Sequence, residues 1–252
     1  MNNENSFKTK LKQECNKHNI NLNDDQLSKF EEYKNLLLEW NEKINLTAIT
    51  DELEIIVKHF VDCLEVTKYI KINENNKVKK DTTKVIDVGT GAGFPGLVIC
   101  IFFEGKINIT LLDALNKRIN FLQDVITKLK LENIELVHKR AEDGAHDLIY
   151  REKYDYVVSR AVASLNILLE YTIPYLKKQG SGLYLKGDKI KKEINNSFKA
   201  FKVLKTEIWK EYEYFLEINK EKFTRHILEV KKQENTNLKY PRSFGKIKKL
   251  PL

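Results

Sequence analysis

The chain has 252 residues, of which 42% are hydrophobic and 32% are charged, as in a soluble globular protein. No apolar run approaches the roughly 18 residues that would predict a transmembrane helix. Lys and Arg number 44 against 36 Asp and Glu, and the net charge of +8 permits an anionic partner without requiring one.

The first predicted elements are two amphipathic helices. Residues 23–46 carry apolar side chains at helical spacing behind a potential cap at Asn23, and residues 51–70 repeat the pattern. The polar, Asn- and Lys-rich segment 71–84 predicts a surface connection. We therefore assign residues 1–80 to a helical extension that packs on the core domain.

An alternation of strands and helices follows, which predicts an α/β fold with a mostly parallel, doubly wound sheet. The predicted strands are Lys84–Val88, Ile107–Asp113, Ile134–Lys139, Tyr154–Ser159 and Gly182–Lys186. The predicted helices are Gly96–Phe103, Asn116–Leu129, Ala145–Tyr150, Ala163–Leu176 and a basic stretch over Lys189–Phe201. Two β-like runs predict an antiparallel edge hairpin, Lys205–Ile218 and Thr224–Lys231. Residues 81–238 thus form the predicted Rossmann-like domain, and residues 239–252 a basic tail.

The first strand runs directly into a glycine-rich turn, Asp87-Val88-Gly89-Thr90-Gly91-Ala92-Gly93-Phe94-Pro95-Gly96. Glycines admit a ligand close to the backbone, and the following helix points its positive dipole end at the turn. The string fits a dinucleotide motif, with Asp113 about 20 residues further on as a ribose ligand. The acid before the glycines suits a ligand with an ammonium group instead. A tight connection without a ligand is the third interpretation.

Polar or glycine residues follow each predicted parallel strand. They are Asp87 with its glycine turn, Asp113, Arg140-Ala141-Glu142, Ser159-Arg160-Ala161 and Lys186-Gly187. Ligands in open α/β sheets bind beyond the carboxyl ends of the strands. We therefore expect these residues to converge on one ligand crevice.

The cysteines indicate the compartment. Cys15, Cys63 and Cys100 form no Cys-x-x-Cys motif and no metal-binding pattern, and their odd number predicts buried free thiols in a reducing environment. The polar segment Met1 to Lys12 lacks the apolar core of a signal peptide. We expect a cytoplasmic protein with no membrane contact and no metal.

The order and spacing of the motifs resemble the family of bacterial ribosomal small-subunit methyltransferase G, also called glucose-inhibited division protein B. That family belongs to the class I S-adenosylmethionine-dependent methyltransferases. The resemblance rests on Asn45–Asp51, His59–Asp62, Asp87–Gly96, Leu112–Arg118, Arg140–Glu142, Ser159–Ala163 and the tail Tyr240–Leu252. Residues Ser243–Ile247 depart from the Gly-Thr-Pro-Asn type sequence of many relatives.

The resemblance implies methyl transfer from S-adenosylmethionine to N7 of one guanine in small-subunit (16S) ribosomal RNA, free or in the ribosomal subunit, by a monomer. Together with the residue patterns, it yields the predicted cofactor contacts Asp87, Gly89, Gly91, Gly93, Phe94, Asp113, Ala141, Glu142 and Arg160. Because guanine N7 has a free lone pair, the reaction needs neither a general base nor a metal. Arg160 and His59 are therefore positioning candidates.

For three of the predicted cofactor-binding carboxylates, a purely structural role is the alternative. Asp87 can hold the methionine amino group, or it can brace the turn by accepting backbone N–H groups. Asp113 can bind ribose hydroxyls or cap the next helix. Glu142 can accept from the adenine amino group or be a solvated loop carboxylate.

Arg160 has two functional interpretations and one structural one. It can clamp a carboxylate or steer RNA phosphate, or it can form an ion pair with Asp87 or Asp155. His59 and Asp62, one helical turn apart, can orient the N-terminal helices over the crevice.

Two basic clusters are candidates for RNA binding. Residues 177–192 carry six lysines and one acid, and residues 239–252 carry five basic residues and no acid. The predicted contacts are Lys186, Lys189, Lys191, Lys192, Arg242, Lys246, Lys248 and Lys249. Tyr240 and Phe244 can stack on bases, and removal of the tail is expected to spare cofactor binding. A solubilising surface is the alternative for both clusters.

Two other functions stay open. One is a class I methyltransferase that acts on DNA, protein or a small molecule, and the other is a cofactor-sensing RNA-binding module without turnover. A dehydrogenase is disfavoured, because Asp87 before the glycines and the Arg140-Ala141-Glu142 string favour a sulfonium ligand.

Overall fold

A computed structural model describes residues 6–72 and 82–252. Its strands are β1 (Lys84–Val88), β2 (Asn108–Asp113), β3 (Ile134–His138), β4 (Tyr154–Arg160), β5 (Leu176–Gly187), β6 (Thr206–Ile218) and β7 (Glu221–Lys232). They form one seven-stranded sheet in the order β3-β2-β1-β4-β5-β7-β6. β1 to β5 pair in parallel, and β7 pairs antiparallel with both β5 and β6. The predicted doubly wound sheet with an antiparallel hairpin is confirmed.

The helices of the N-terminal part are α1 (Phe7–Lys17), α2 (Asp24–Ile44), α3 (Glu52–Glu54) and α4 (Asp62–Leu64). A π-helical segment, Ile55–Val61, joins α3 to α4, and a 3₁₀ turn, Glu65–Tyr69, continues from α4. The helices around the sheet are α5 (Gly96–Phe103), α6 (Asn116–Lys128), α7 (Ala141–His146), α8 (Leu165–Thr172), α9 (Ile190–Asn195), α10 (Phe198–Leu204) and α11 (Phe244–Lys249).

Several predicted boundaries are wrong. The helix expected at Ala145–Tyr150 spans Ala141–His146 instead. Its first turn does not read as a helix in the sequence because Gly144, within it, lowers helix propensity. The basic stretch Lys189–Phe201 forms two helices, α9 and α10, rather than one. β5 starts at Leu176, earlier than predicted, because the helix before it ends ahead of Pro174.

α1 has no counterpart among the predicted elements. Its N-cap Ser6 accepts from the Thr9 N–H, and its narrow apolar stripe buries Phe7, Leu11 and Cys15. The apolar stripe is hard to recognise in the sequence because charged residues surround it. The Phe7 ring packs edge-on against Phe60 at 6.2 Å, so α1 belongs to the core that holds the N-terminal helices.

The N-terminal helices also reach the glycine turn. Asn23 and Gln26 form a capping box at the start of α2. Further along α2, the Tyr33 hydroxyl donates to the Ala92 carbonyl, and its ring stacks on Phe94 at 5.4 Å. One continuous apolar cluster therefore joins α1 and α2 to one face of the sheet. The predicted boundary at residue 80 lies outside the described residues, and the boundary at 238 stays a prediction.

The three cysteine thiols are free and buried, as predicted. Burial raises the pKa of Cys15, Cys63 and Cys100 to about 12. In residues 6–72 and 82–252, no helix combines the length and apolar content needed to cross a bilayer, and no group of three or more His, Cys, Asp or Glu could hold a metal ion.

If α1 is part of the core, Leu11→Ala lowers the free energy of unfolding by about 2–5 kcal/mol, because it leaves a cavity at a fully buried position. Lys12→Ala, on the exposed side of the same helix, changes it by less than about 0.5 kcal/mol. Urea unfolding of both variants measures the difference. Equal effects would show that α1 does not pack as described.

Candidate functional site

A cleft of about 380 Å³ opens beyond the carboxyl ends of β1 and β2. Four residues of the predicted cofactor set line it: Gly89, Asp113, Ala141 and Glu142. The rest of the lining comes from Val88, Leu112, Ala114, Leu115, Arg118, Arg140, Ala161, Val162, Tyr171 and Phe244. The other five predicted cofactor residues do not line this cleft: Asp87, Gly91, Gly93, Phe94 and Arg160.

The glycine turn forms the floor of the cleft. Gly89 has a φ of +74°, and a Cβ there would lie 2.7 Å from Val162 Cγ2, in the loop after β4. Gly91 has a φ of +61°, but a Cβ there would meet no atom closer than the Gly89 carbonyl oxygen at 4.0 Å. Gly89 is therefore required for contact between two loops, whereas Gly91 leaves open space above the turn.

Asp87 lies beneath the turn with no exposed surface. Its Oδ2 accepts from the Gly96 N–H at 2.8 Å, while Oδ1 has no hydrogen-bond partner among the described residues. Burial raises the pKa of Asp87 to about 7, against lowering contributions from Thr90 and the Gly96 N–H. The carboxyl therefore braces the turn from below, one of the two roles that the sequence left open.

Asp113 ties the glycine turn to the loop after β2. Its Oδ2 accepts from the Gly91 N–H at 2.9 Å and from Arg118 Nη1 at 3.2 Å, and its Oδ1 accepts from the Leu115 N–H at 2.9 Å. The capping alternative is wrong, because the N-cap of α6 is Leu115. Asp113 thus lines the cleft and fixes two of its loops.

Ala141 and Glu142 form the first turn of α7. Glu142 is 7% exposed, so it is not a solvated loop carboxylate. The Tyr175 hydroxyl donates to the Ala141 carbonyl at 2.6 Å. This hydrogen bond holds the first turn of α7 beside the cleft.

Phe94 lies outside the lining of this cleft, and its predicted cofactor contact stays a prediction. Its ring is 6% exposed and lies 4.6 Å from the His59 ring and 4.9 Å from the Arg160 guanidinium carbon. The apolar ring is buried against the N-terminal helices instead of the cleft. Gly93 faces the same way, since a Cβ there would lie 2.6 Å from the Tyr33 hydroxyl.

Arg160 and Arg225 share one buried carboxylate, that of Asp62. Arg160 Nη1 donates to Asp62 Oδ2 at 3.3 Å and to the Lys58 carbonyl at 2.7 Å. Arg225 binds Asp62 through Nε at 2.9 Å and Nη2 at 3.0 Å, and the Tyr214 hydroxyl donates to Asp62 at 2.6 Å. The predicted ion pair of Arg160 with Asp87 or Asp155 is therefore wrong.

His59 holds the other side of Arg160. Arg160 Nη2 donates to His59 Nδ1 at 3.3 Å, and His59 Nε2 lies 2.9 Å from the Thr47 hydroxyl. Burial and the Arg160 charge lower the pKa of His59 to about 4. His59 is therefore a neutral acceptor near pH 7, which agrees with its predicted positioning role.

A second cleft, of about 590 Å³, adjoins the first and shares Ala161 and Val162 with it. Its lining includes Arg160, Arg225, Lys186, Lys189 and Lys192. Lys189 and Lys192 are exposed, whereas Lys186 is buried and donates to Glu193 at 2.7 Å and to the Ala163 carbonyl at 3.0 Å. Lys191 is exposed but does not line this cleft. The second cleft is thus a basic groove beside the first.

The basic tail differs from its prediction. The backbone N–H and guanidinium of Arg242 donate to the fully buried Glu170 at 2.7–2.8 Å, so Arg242 holds the tail to α8. Three other predicted RNA contacts are exposed on α11, namely Lys246, Lys248 and Lys249. Phe244 lines the first cleft. Removal of the tail would also remove Phe244 from the cleft lining, and the expectation that it spares cofactor binding stays a prediction.

Sequence reasoning also missed Arg225 and Tyr214. The two residues face each other in the register of β6 and β7, which places both over Asp62. Asp62 itself indicated that a partner exists, because an acid between apolar residues of a buried helix requires one. The sequence did not indicate which basic residue that partner was.

Comparison with known proteins gives close relatives. A profile of the family described as rRNA small subunit methyltransferase G matches residues 26–228. A ribosomal RNA small subunit methyltransferase G of Thermoanaerobacter sp. (strain X514) is 49% identical over 223 residues, covering 88% of this chain and 89% of that protein. One of Clostridium perfringens (strain SM101 / Type A) is 46% identical over 242 residues, covering 96% and 97%. A SAM-dependent O-methyltransferase of Thermotoga maritima shares the fold, with a TM-score of 0.51 and 12% identity over 80% of this chain and 72% of that one.

The raised pKa of Asp87 has a consequence for stability. Between pH 4 and pH 7, the folded protein retains a proton that the unfolded chain releases, so the contribution of Asp87 to stability falls as pH rises. Asp87→Asn has no proton to release here, so its stability does not fall in this way. The free energy of unfolding of the variant, relative to that of the wild type, therefore increases by more than about 1 kcal/mol between pH 4 and pH 7. Urea unfolding across that range measures the change, with Asp143→Asn, an exposed carboxyl, as the control. A pH-independent difference for Asp87→Asn would contradict this assignment.

Proposed function

The chain belongs to the rRNA small subunit methyltransferase G family, and on this basis we propose that it methylates N7 of one guanine in small-subunit ribosomal RNA. S-adenosylmethionine is the methyl donor. The observation that carries the proposal is the pair of clefts that meet at Ala161 and Val162. The first cleft has a glycine turn as its floor and a carboxylate, which suit a nucleoside. The second cleft is basic, which suits RNA.

The residues of the first cleft fit the parts of this cofactor. Asp113 has a carboxylate at the carboxyl end of β2, the position at which an acid binds ribose hydroxyls. Ala141 and Glu142 offer an apolar surface and an acceptor for adenine. Gly89 lines the cleft without a side chain, so a ligand can approach the backbone of the turn there. Asp87 is buried beneath this turn and accepts from the Gly96 N–H, so Asp87 acts on the cofactor through the loop.

S-adenosylmethionine, when bound, supplies a methyl group already activated by a sulfonium. The protein's task is therefore to hold the guanine in line with that methyl group and to exclude water. Guanine N7 carries a lone pair, so no side chain has to remove a proton first. This agrees with His59, which burial and Arg160 keep neutral and hydrogen-bonded within the protein.

Arg160 and Arg225 orient the target base in the second cleft. Both guanidinium groups are fixed by Asp62, and both line this cleft. Held guanidinium groups are suited to binding guanine O6 or the neighbouring phosphate, which leaves N7 free. Lys189, Lys191 and Lys192 extend the basic surface towards flanking phosphates, as do Lys246, Lys248 and Lys249 on the tail.

We further propose that the enzyme acts as a cytoplasmic monomer. The buried free thiols suit a reducing compartment. The substrate is ribosomal RNA, either free or within the small subunit.

The cofactor cleft is tested with two glycine variants of similar backbone geometry. Gly89→Ala and Gly105→Ala both place a side chain at φ near +75°, which costs each variant about 1 kcal/mol, and Gly89→Ala adds a steric clash. Only Gly89→Ala pushes a Cβ against Val162 at the cleft, so we expect it to weaken S-adenosylhomocysteine binding at least about 10-fold, as measured by calorimetry. Equal affinities in the two variants would place the cofactor elsewhere.

The RNA surface is tested by charge reversal. Lys189→Glu with Lys192→Glu weakens binding to small-subunit RNA and lowers the slope of log affinity against log salt by about 2, because two phosphate contacts are lost. Lys199→Glu with Lys202→Glu makes the same charge change on exposed positions of α10 outside the cleft. If both double variants weaken binding equally, the second cleft is not the RNA site.

A further inference from the structure

The C-terminal tail places an aromatic ring in the cofactor cleft. Phe244 is 44% exposed, although it is a large apolar residue, and it lines the same cleft as Asp113 and Glu142. The Arg140 guanidinium carbon lies 5.2 Å from the Phe244 ring centroid. Arg140 directly precedes α7, whose first turn carries Ala141 and Glu142. Phe244 is therefore positioned beside the part of the cleft assigned to adenine.

The tail that carries the Phe244 ring is held to the rest of the protein. Arg242, two residues earlier, makes three hydrogen bonds to the carboxylate of Glu170, which has no exposed surface. His146 Nε2, at the end of α7, lies 2.8 Å from the Pro241 carbonyl oxygen. Ile247, one helical turn after Phe244, is fully buried. These contacts fix the tail on both sides of Phe244.

The contact between His146 and the Pro241 carbonyl links the tail to the cleft directly. The helix that ends at His146 is the same α7 that begins with Ala141 and Glu142. The Arg151 guanidinium adds hydrogen bonds to the carbonyls of Tyr240 at 3.0 Å and Thr236 at 2.8 Å. The tail and the wall of the cleft therefore form one unit.

We infer that Phe244 is an adenine-binding residue, and that the Arg242–Glu170 ion pair is the device that positions it. The inference rests on the proposed function, because it requires the first cleft to take the adenosyl group. A purine has a planar face, and an aromatic ring and a guanidinium group are the side chains that stack on such a face. The exposed part of Phe244 is then the surface that the cofactor covers, beside the Arg140 guanidinium and the Lys248 ammonium, which lies 5.9 Å from the ring centroid.

The test is calorimetric titration with S-adenosylhomocysteine. Phe244→Ala weakens binding by roughly 5- to 100-fold, the range for loss of one base–aromatic stack. Phe244→Tyr keeps the ring and stays within about 3-fold of the wild type. Leu250→Ala, at a 66% exposed position of the tail that does not line the cleft, has no effect. A second ligand, 5′-methylthioadenosine, lacks the amino-acid part of the cofactor. Phe244→Ala weakens its binding by the same factor as it weakens S-adenosylhomocysteine binding, because the lost contact is to adenine.

The ion pair is tested with Glu170→Gln and Arg242→Gln made together, so that no buried charge is left unpaired. This double variant weakens S-adenosylhomocysteine binding in the wild-type background but adds no further loss to Phe244→Ala, since both changes act through the same ring. Thermal unfolding of every variant confirms that the fold is retained. A further loss in the Phe244→Ala background would overturn the positioning role.

The outcomes separate this inference from the proposed function. If the wild type does not bind S-adenosylhomocysteine, the proposed function fails. If the wild type binds it and Phe244→Ala binds equally well, only this inference fails. It fails in the same way if Phe244→Ala keeps cofactor affinity and loses RNA affinity, because the ring would then stack on RNA.

Discussion

The site depends on one buried charge, the carboxylate of Asp62. Burial by itself would raise its pKa, but Arg225 and Arg160 hold the pKa below its usual value, so the carboxylate stays ionised. An unpaired charge at this position would cost several kcal/mol, and the two arginines and Tyr214 compensate it. Asp62 belongs to the N-terminal helices, Arg160 to β4 and Arg225 to the hairpin. The ion pair thus joins three parts of the fold at the edge of the basic cleft.

The cofactor cleft is assembled on a similar principle, from backbone contacts held by carboxylates. Asp87 braces the glycine turn from below, Asp113 links that turn to the loop after β2, and Glu170 anchors the tail that supplies Phe244. None of these contacts involves a proton transfer or a nucleophile. They hold loops at the ends of parallel strands, which is what an enzyme needs when the cofactor carries the reactive group. The chemistry proposed here requires alignment, and the structure supplies loops held by hydrogen bonds to buried side chains.

The sheet, the hairpin and the location of the crevice could be predicted from sequence, because they follow from local periodicity and from the rule that ligands bind at strand ends. Gly89, Asp113, Ala141 and Glu142 were found in this way. The partner of Arg160 could not be predicted, because Asp62 is distant in sequence and no local pattern links the two. The surroundings of Phe94 and Arg242 could not be predicted for a related reason: the sequence shows a ring or a charge, but only packing shows whether it faces the cleft or the core.

The most direct measurement is methyl transfer to small-subunit ribosomal RNA, both free and within subunits, isolated from cells that lack this enzyme. The protein is supplied with methyl-labelled S-adenosylmethionine, and the product is cleaved chemically at N7-methylguanine and mapped. The account predicts one modified guanine, with the label at N7 and a stoichiometry approaching one methyl group per RNA. Label at another atom, label spread over many guanines, or no transfer to either form of the RNA would contradict it.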